Sequence, residues 1–391
     1  MATRPLNVAP AGPMALPDTG LGRGWEPGVL MAVTLLLFAF GLVTLSSATT
    51  FLSHRAGAGA PHYVLQQAIG GALGLAVLVV CSRIPYHWWK HLAWPFLGVT
   101  WVLLIILILP GTEAIAPEIK GARRWLLFPG GRIQPSDLAK VAVIIWTAAL
   151  AVKKQPHFKS LRRGMLPFLL IWLVVVLPIA KEDFSTACMV GIMGATVLFA
   201  AGGRMAHFIL LGCLAAPLVL AKLGSGFREN RIEAFLNPGS DPSGADFQVH
   251  QSLLAIGSGG FMGVGFGEGR QKYGFLPEPH NDFIFAMVGE EWGLLGVVFL
   301  VSLYLTLILV GFRVARRAQD LFGELLAIGL TSLIALHAVL HMGVGLRLLP
   351  ATGLALPFIS YGRSNLVVTM AAVGILMAIA RQQPGLGRKR G

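Results

Sequence analysis

Apolar runs of about twenty residues recur along the chain between short polar connections, without the strict alternation of half-buried strands or the narrow stripe of a surface helix. Ten segments are long and apolar enough to cross a bilayer as helices, near 28–48, 64–82, 92–110, 136–152, 165–180, 185–202, 206–223, 283–312, 322–345 and 357–380. The pattern predicts an all-α polytopic membrane helix bundle. Short alternating segments do not recur, which excludes an outer-membrane barrel. Residues 1–24 hold no apolar core ahead of Val29, so no cleavable signal peptide is expected and the first span is expected to be retained. The organisation expected is a tail over 1–27, a transmembrane domain over 28–381 and a basic tail over 382–391. The 222–281 connection is too long for a plain linker. Its apolar content predicts a folded cap with a short helix around 246–256.

Composition agrees with a membrane protein. Of 391 residues, 55% are hydrophobic and 13% charged, against roughly 25% charged in an average soluble protein. The 48 Gly and 23 Pro are dispersed through apolar segments, which is neither collagen nor a disordered chain. A net charge of +13 invites a nucleic-acid reading, but the basic residues sit in short clusters between spans, as positive-inside sorting requires. An even number of spans puts both termini on one side. The connections 83–91, 153–164, 203–205 and 313–321 hold, among others, Arg83, Lys153, Arg163, Arg204 and Arg316, and the tail adds Arg388, Lys389 and Arg390, so this side is expected to be cytoplasmic. Cys81, Cys188 and Cys213 fall inside apolar segments at unrelated spacings and read as small core residues.

Two outer connections break the charge rule. Loop 111–135 carries Lys120, Arg123, Arg124 and Arg132, and loop 222–281 carries Lys222, Arg228, Arg231, Arg270 and Lys272. Either these cations serve an anionic partner such as a phosphate or pyrophosphate, or translocated loops simply tolerate scattered charge. The glycines of 257–267 superficially resemble a nucleotide loop, yet no strand precedes them and no Gly-Lys-Ser/Thr follows, so backbone turns are the expectation.

The few acids are informative. Asp282 stands where the eighth span enters the bilayer, after Pro277-Glu278-Pro279-His280-Asn281. An ionisable residue there is either a functional group or an N-terminal cap. Glu290 lies about 80° round the helix from Asp282 and Glu291 on nearly the opposite face, so the two glutamates cannot both serve Asp282; one is expected to pair with an interior Arg. His280 either binds metal or substrate or supports a Pro-rich turn. Lys140, one turn into the fourth span, either lines an outward-facing polar cavity with Arg132 or snorkels to the interface. Asp183 either joins that cavity or caps the sixth span.

Together these stretches are recognisable. The chain resembles the SEDS family of shape, elongation, division and sporulation proteins over about 28–381, through Gly121-Ala122-Arg123-Arg124-Trp125, Gln134-Pro135-Ser136-Asp137-Leu138-Ala139-Lys140, Asp183-Phe184-Ser185-Thr186 and Gln251-Ser252-Leu253 running into Gly257-Ser258-Gly259-Gly260. The stretches Leu276 to Ala286 and Leu356 to Gly362 match as well, and Arg231-Ile232 with Phe235-Leu236-Asn237-Pro238 and Asp241-Pro242 looks more like the division branch. The resemblance implies a peptidoglycan glycosyltransferase that polymerises lipid II at the outer face of the bacterial cytoplasmic membrane, at the division septum. Implied partners are a class B penicillin-binding protein as transpeptidase, other divisome proteins and membrane lipids, with no nucleic acid. A divalent cation, Mg or Mn, is a candidate cofactor. The family's essential aspartate falls on Asp282, its charged cavity residues on Arg132, Lys140 and Asp183, and its Ser-Tyr-Gly motif on Ser360, Tyr361 and Gly362; Arg124, Gln251, Lys272, Glu278, His280 and Ser364 complete the candidate substrate contacts. Three departures stand out: Arg363 and Arg347 occupy positions where the family usually has glycine, and Lys181-Glu182 replaces the common Gln-Pro before Asp183. The two extra arginines either strengthen phosphate binding or fill the site. Alternatives to the enzyme are a lipid II flippase and a catalytically idle scaffold for the transpeptidase.

Overall fold

A computed structural model describes residues 24–55, 62–119, 121–128, 131–158, 160–223, 227–237, 239 and 244–382. Both tail segments, Lys120 and Asp241 therefore lie largely or wholly outside the described residues, as do the side chains of Lys222 and Arg228. The chain runs α1 (Glu26–Arg55), α2 (His62–Arg83), α3 (His87–Ile108), a two-stranded hairpin β1 (Leu126–Phe128) and β2 (Gly131–Ile133), α4 (Pro135–Lys154), α5 (Leu166–Glu182), α6 (Phe184–Ala200), α7 (Met205–Leu223), α8 (Phe227–Leu236), α9 (Ala245–Gly259), α10 (Ile284–Arg316), α11 (Leu321–Gly345) and α12 (Arg363–Arg381). Eight of these, α1 to α5 and α10 to α12, are long and apolar enough to cross a membrane; the two remaining expected spans coincide with the shorter apolar helices α6 and α7.

Helices α4 and α12 form the centre, with 83% and 78% of their apolar windows enclosed by protein against 28% for α3, which faces outward. Their sequences explain the difference. Helix α4 presents small and branched residues on every side, as in Ala139-Lys140-Val141-Ala142-Val143-Ile144-Ile145, and all of these are buried. Helix α2 lies against α12 through glycines, where a Cβ on Gly74 would fall 2.6 Å from Met370 Sδ and one on Gly70 2.7 Å from Arg363 Cγ. Small residues permit that approach, as is general for helices packing in lipid. Cys81 is buried in this region, whereas Cys213 is exposed on α7 and is not a core residue as its apolar setting suggested; a membrane-facing helix surface is as apolar as a core, so sequence does not distinguish them.

The large connection is a folded cap, and its expected helix is α9, preceded by the unforeseen α8. The glycines that follow make backbone turns. Helix α10 breaks at Gly293, at φ 61° and ψ −159°, a conformation open to glycine and costly for other residues. The groups freed by the break pair with the glycine-rich segment: Val264 N donates to Glu290 O (3.0 Å), Gly265 N to Glu291 O (3.2 Å), Leu294 N to Gly260 O (3.0 Å) and Leu295 N to Phe261 O (3.2 Å). A Cβ on Gly263 would lie 2.2 Å from Glu291 O, so the pairing demands glycine.

The same segment accounts for the two glutamates, and the expected arginine partner is replaced. Glu290 Oε1 accepts the backbone N–H of Arg270 at 2.7 Å. Glu291 Oε1 accepts from Ser47 Oγ of α1 at 2.5 Å and from Lys272 Nζ at 3.1 Å, and the lysine also donates to Gly267 O. Backbone amides of a close-packed turn and a lysine solvate these buried carboxylates, which satisfies the same requirement by a different route.

Candidate functional site

The turn before α10 sets the position of Asp282. Glu278 sits at φ 51°, and its carbonyl accepts the amides of both Asn281 (3.1 Å) and Asp282 (3.2 Å). The N-cap position of α10 falls on Phe283, one residue past Asp282. A second segment, 353–362, holds the turn from below. Ser360 Oγ donates to Asn281 O at 2.8 Å and accepts from Leu356 N at 2.8 Å, while Tyr361 N donates to His280 O at 3.0 Å. Helix α2 clasps both, since Gln67 Nε2 donates to Ser360 O and Gln67 Oε1 accepts from Gly362 N, each at 3.1 Å. Around the clasp, the rings of Tyr63, His280 and Tyr361 meet at centroid separations of 5.3 to 5.9 Å. The Asp282 carboxylate lies over the bare Cα of Gly353, with Oδ2 3.7 Å from where a Cβ would stand. Asp282 is thus a half-buried residue on a turn held by several segments of the chain.

Two expected substrate contacts are part of that support. Ser360 commits its proton and a lone pair to backbone, and buried Ser364 accepts from Gln134 N at 3.2 Å, joining the starts of α12 and α4. Arg132 is exposed on β2, next to Gly131, against which the Arg363 guanidinium packs at 3.1 to 3.2 Å from a Cβ position. His280 is largely buried, 3.8 Å from Glu278 Oε2.

Other expected residues stand apart. Arg124 Nε donates to Glu182 O (3.1 Å) and its guanidinium pairs with Asp183 (3.4 Å), whose Oδ1 caps α6 by accepting from Thr186 N at 3.0 Å. Asp183 therefore takes the capping role and holds the arginine loop. Beside it lies an open cleft of ≈ 390 Å³ between Glu113, Glu118, Arg123, Lys181 and Glu182. Lys140 neither snorkels nor opens on a cavity. It pairs with Asp137 at 2.8 Å, one turn away on α4, with both side chains about 95% enclosed. Lys272 belongs to the internal knot with Glu291, at 3% exposure. Gln251 is half-buried on α9, next to Ser252, which donates to Gly345 O at 2.9 Å.

The departures resolve separately. Arg347 adopts φ 57°, the left-handed region in which glycine is the easy choice, and its guanidinium reaches Asp246 Oδ1 (2.6 Å) and Ala234 O (3.0 Å). It latches α8 and α9 onto the bundle and does not fill the site. Arg363 stays at the site's edge. Among the described residues no three His, Cys, Asp or Glu side chains converge on a metal position. Sequence reasoning missed Tyr63, Gln67, His337 and His341. The histidines carried a signal, an i,i+4 polar pair inside an apolar span.

The model of the FtsW, RodA and SpoVE family, described as a cell cycle protein, matches residues 28–384. This chain belongs to that family. An FtsW/RodA/SpoVE relative from Geobacter metallireducens, named "Probable peptidoglycan glycosyltransferase FtsW", is 40% identical over 91% of this chain and 95% of its own. Stage V sporulation protein E of Bacillus subtilis is 34% identical over 90% and 96%. Among solved structures, RodA of Thermus thermophilus superposes with a TM-score of 0.67 at 27% identity, over 94% of this chain and all of that one. A chain of a peptidoglycan synthase complex, described as coordinating polymerization and crosslinking, reaches 0.73 at 28% identity over 90% and 96%. The FtsW/RodA/SpoVE fold therefore covers every segment that builds the Asp282 site.

Proposed function

We propose that this protein is a peptidoglycan glycosyltransferase of cell division, polymerising lipid II at the outer face of the cytoplasmic membrane beside a class B penicillin-binding protein that crosslinks the strands. The observation that carries the reading is the placement of Asp282. It is an acid at the head of α10, on a turn pinned by Ser360, Tyr361 and Gln67, with Arg132 exposed on β2, whose Gly131 packs against Arg363. In the reaction, Asp282 takes the proton from an attacking sugar hydroxyl as its oxygen bonds to the anomeric carbon of a second sugar. The bond from that carbon to the lipid pyrophosphate breaks, and the charge that develops on the leaving oxygen falls to Arg132. Arginine suits this task because its planar fork matches phosphate oxygens. The name of the Geobacter relative supports peptidoglycan glycosyltransfer, and the synthase complex that joins polymerization to crosslinking supports a crosslinking partner.

Incubating the purified full chain with labelled lipid II tests the proposal, with polymer as the expected product. Sided movement of monomer in liposomes without polymer means a flippase, and neither product with the partner complex intact means a scaffold. Either outcome removes the polymerase reading.

The orientation belongs to the same proposal: both termini cytoplasmic and the α8–α9 cap outside. Reporter fusions at Arg163 and at Ser240, the latter outside the described residues, are expected to read cytoplasmic and external respectively. The reverse pattern would place Asp282 on the wrong side for a lipid-linked sugar.

A further inference from the structure

Residues 350–356 form no regular secondary structure, although they provide the surface beneath Asp282. A segment of this kind keeps its place only through what holds its backbone. Its lower side is held by α11. His341 Nδ1 lies 2.7 Å from Leu354 O, and His337 Nδ1 lies 3.3 Å from Ala355 O. The two imidazoles stand one turn apart on the same helix face, each about 98% enclosed. Since a carbonyl only accepts, both rings carry their proton on Nδ1.

Two imidazoles inside an apolar span are costly, and a polar side chain there is retained where its hydrogen bond matters. Here each bond ends on the residue next to, or one beyond, Gly353. Gly353 itself is left-handed, at φ 68°, and carries the Asp282 carboxylate on its bare Cα. At the far end of the segment, Leu356 N is held by Ser360 Oγ, which also holds Asn281 O. The backbone from 353 to 356 is thus a bridge, fixed at one end by the serine that grips the Asp282 turn and along its underside by the histidines.

We infer that His337 and His341 are a pair of positioning residues that set the height of Gly353 and thereby the placement of the Asp282 carboxylate. The inference rests on the proposed role of Asp282 for its effect on turnover, while the placement itself is independent of that role. The histidines do not touch substrate. They act through the bridge, and misplacement of a reacting group by about 1 Å costs about 10²-fold in rate.

Asparagine and glutamine substitutions separate this role from general stability. Asn presents an amide N–H at the δ position, where Nδ1 stands, and Gln presents the same group one bond farther out. In full-length protein in nanodiscs, His341→Asn is expected to keep kcat for lipid II polymerisation within threefold. His341→Gln is expected to lower it about 10-fold or more with KM within twofold, and the pair of substitutions at His337 should follow the same order. A second readout needs no turnover: carbodiimide labelling of Asp282, followed by peptide mass spectrometry, should match wild type in the Asn variants and differ at least threefold in the Gln variants. A merely structural pair would move the melting temperature and leave kcat per folded molecule and Asp282 labelling unchanged in all four variants, which would overturn the inference. Wild-type protein that makes no polymer would refute the enzymatic reading instead, and the labelling comparison would still decide the inference.

Discussion

Polymer formation by Asp282→Asn is expected to fall by about 10²–10⁴-fold, the usual worth of general-base catalysis, with folded protein and partner complex retained. The substitution keeps the shape of the side chain and removes its ability to take a proton. It should leave the turn intact, because the amides of Asn281 and Asp282 are held by Glu278 O and the N-cap position belongs to Phe283. The measurement is glycan product from labelled lipid II, normalised to monodisperse protein. A capping role predicts the opposite order, near-normal polymer from Asp282→Asn, an equally good cap, and loss of stable protein in Asp282→Leu. If the carboxylate instead serves to hold a divalent cation, excess cation restores part of the Asn variant's activity. Near wild-type turnover by well-folded Asp282→Asn would end the claim that this residue is the base.

What could be read beforehand divides along physical lines. The spans were legible because burial in lipid and burial in protein both demand apolar residues, and the position of Asp282 was legible because an acid at the head of an apolar run is costly. The break at Gly293 was not, since the apolar run continues through it and the break is defined by pairing with residues 260–265, far away in sequence. Ser360 and Ser364 illustrate another limit. A serine in a motif reads the same whether its hydroxyl faces substrate or staples backbone, and here both staple backbone. The i,i+3 spacing of Asp137 and Lys140 already permits an ion pair, but only the enclosure of α4 on all sides shows that the pair is internal and not open to phosphate. Arg347 shows the converse: its departure from glycine looked like a change at the site, and the fold directs it to the buried Asp246 of α9 instead.

The second large effect concerns stability, and it falls on Lys272 and Glu291. The pair is enclosed, at 3% and 0% exposure, and it joins three parts of the chain: α1 through Ser47, the short turn 271–273 through Lys272, and α10 through Glu291. Removing one member of such a pair strands a charge in a low-dielectric interior, which typically costs about 3–5 kcal/mol, whereas replacing both by apolar groups of similar volume is often close to neutral. Lys272→Met is therefore expected to lower stability to chemical denaturation by about that amount, and Lys272→Met with Glu291→Leu to recover most of the loss. Recovery should be incomplete in one respect. Lys272 also donates to Gly267 O, so the double variant lacks the tie from the glycine-rich turn to α1, and faster hydrogen exchange over 263–270 is expected even where global stability returns. Denaturant titration of the two variants in the same detergent is the check. A single variant as stable as wild type would show that the charge is not buried as described, and a double variant worse than the single would show that the ion pair itself, not the avoidance of a stranded charge, holds α10 against α1.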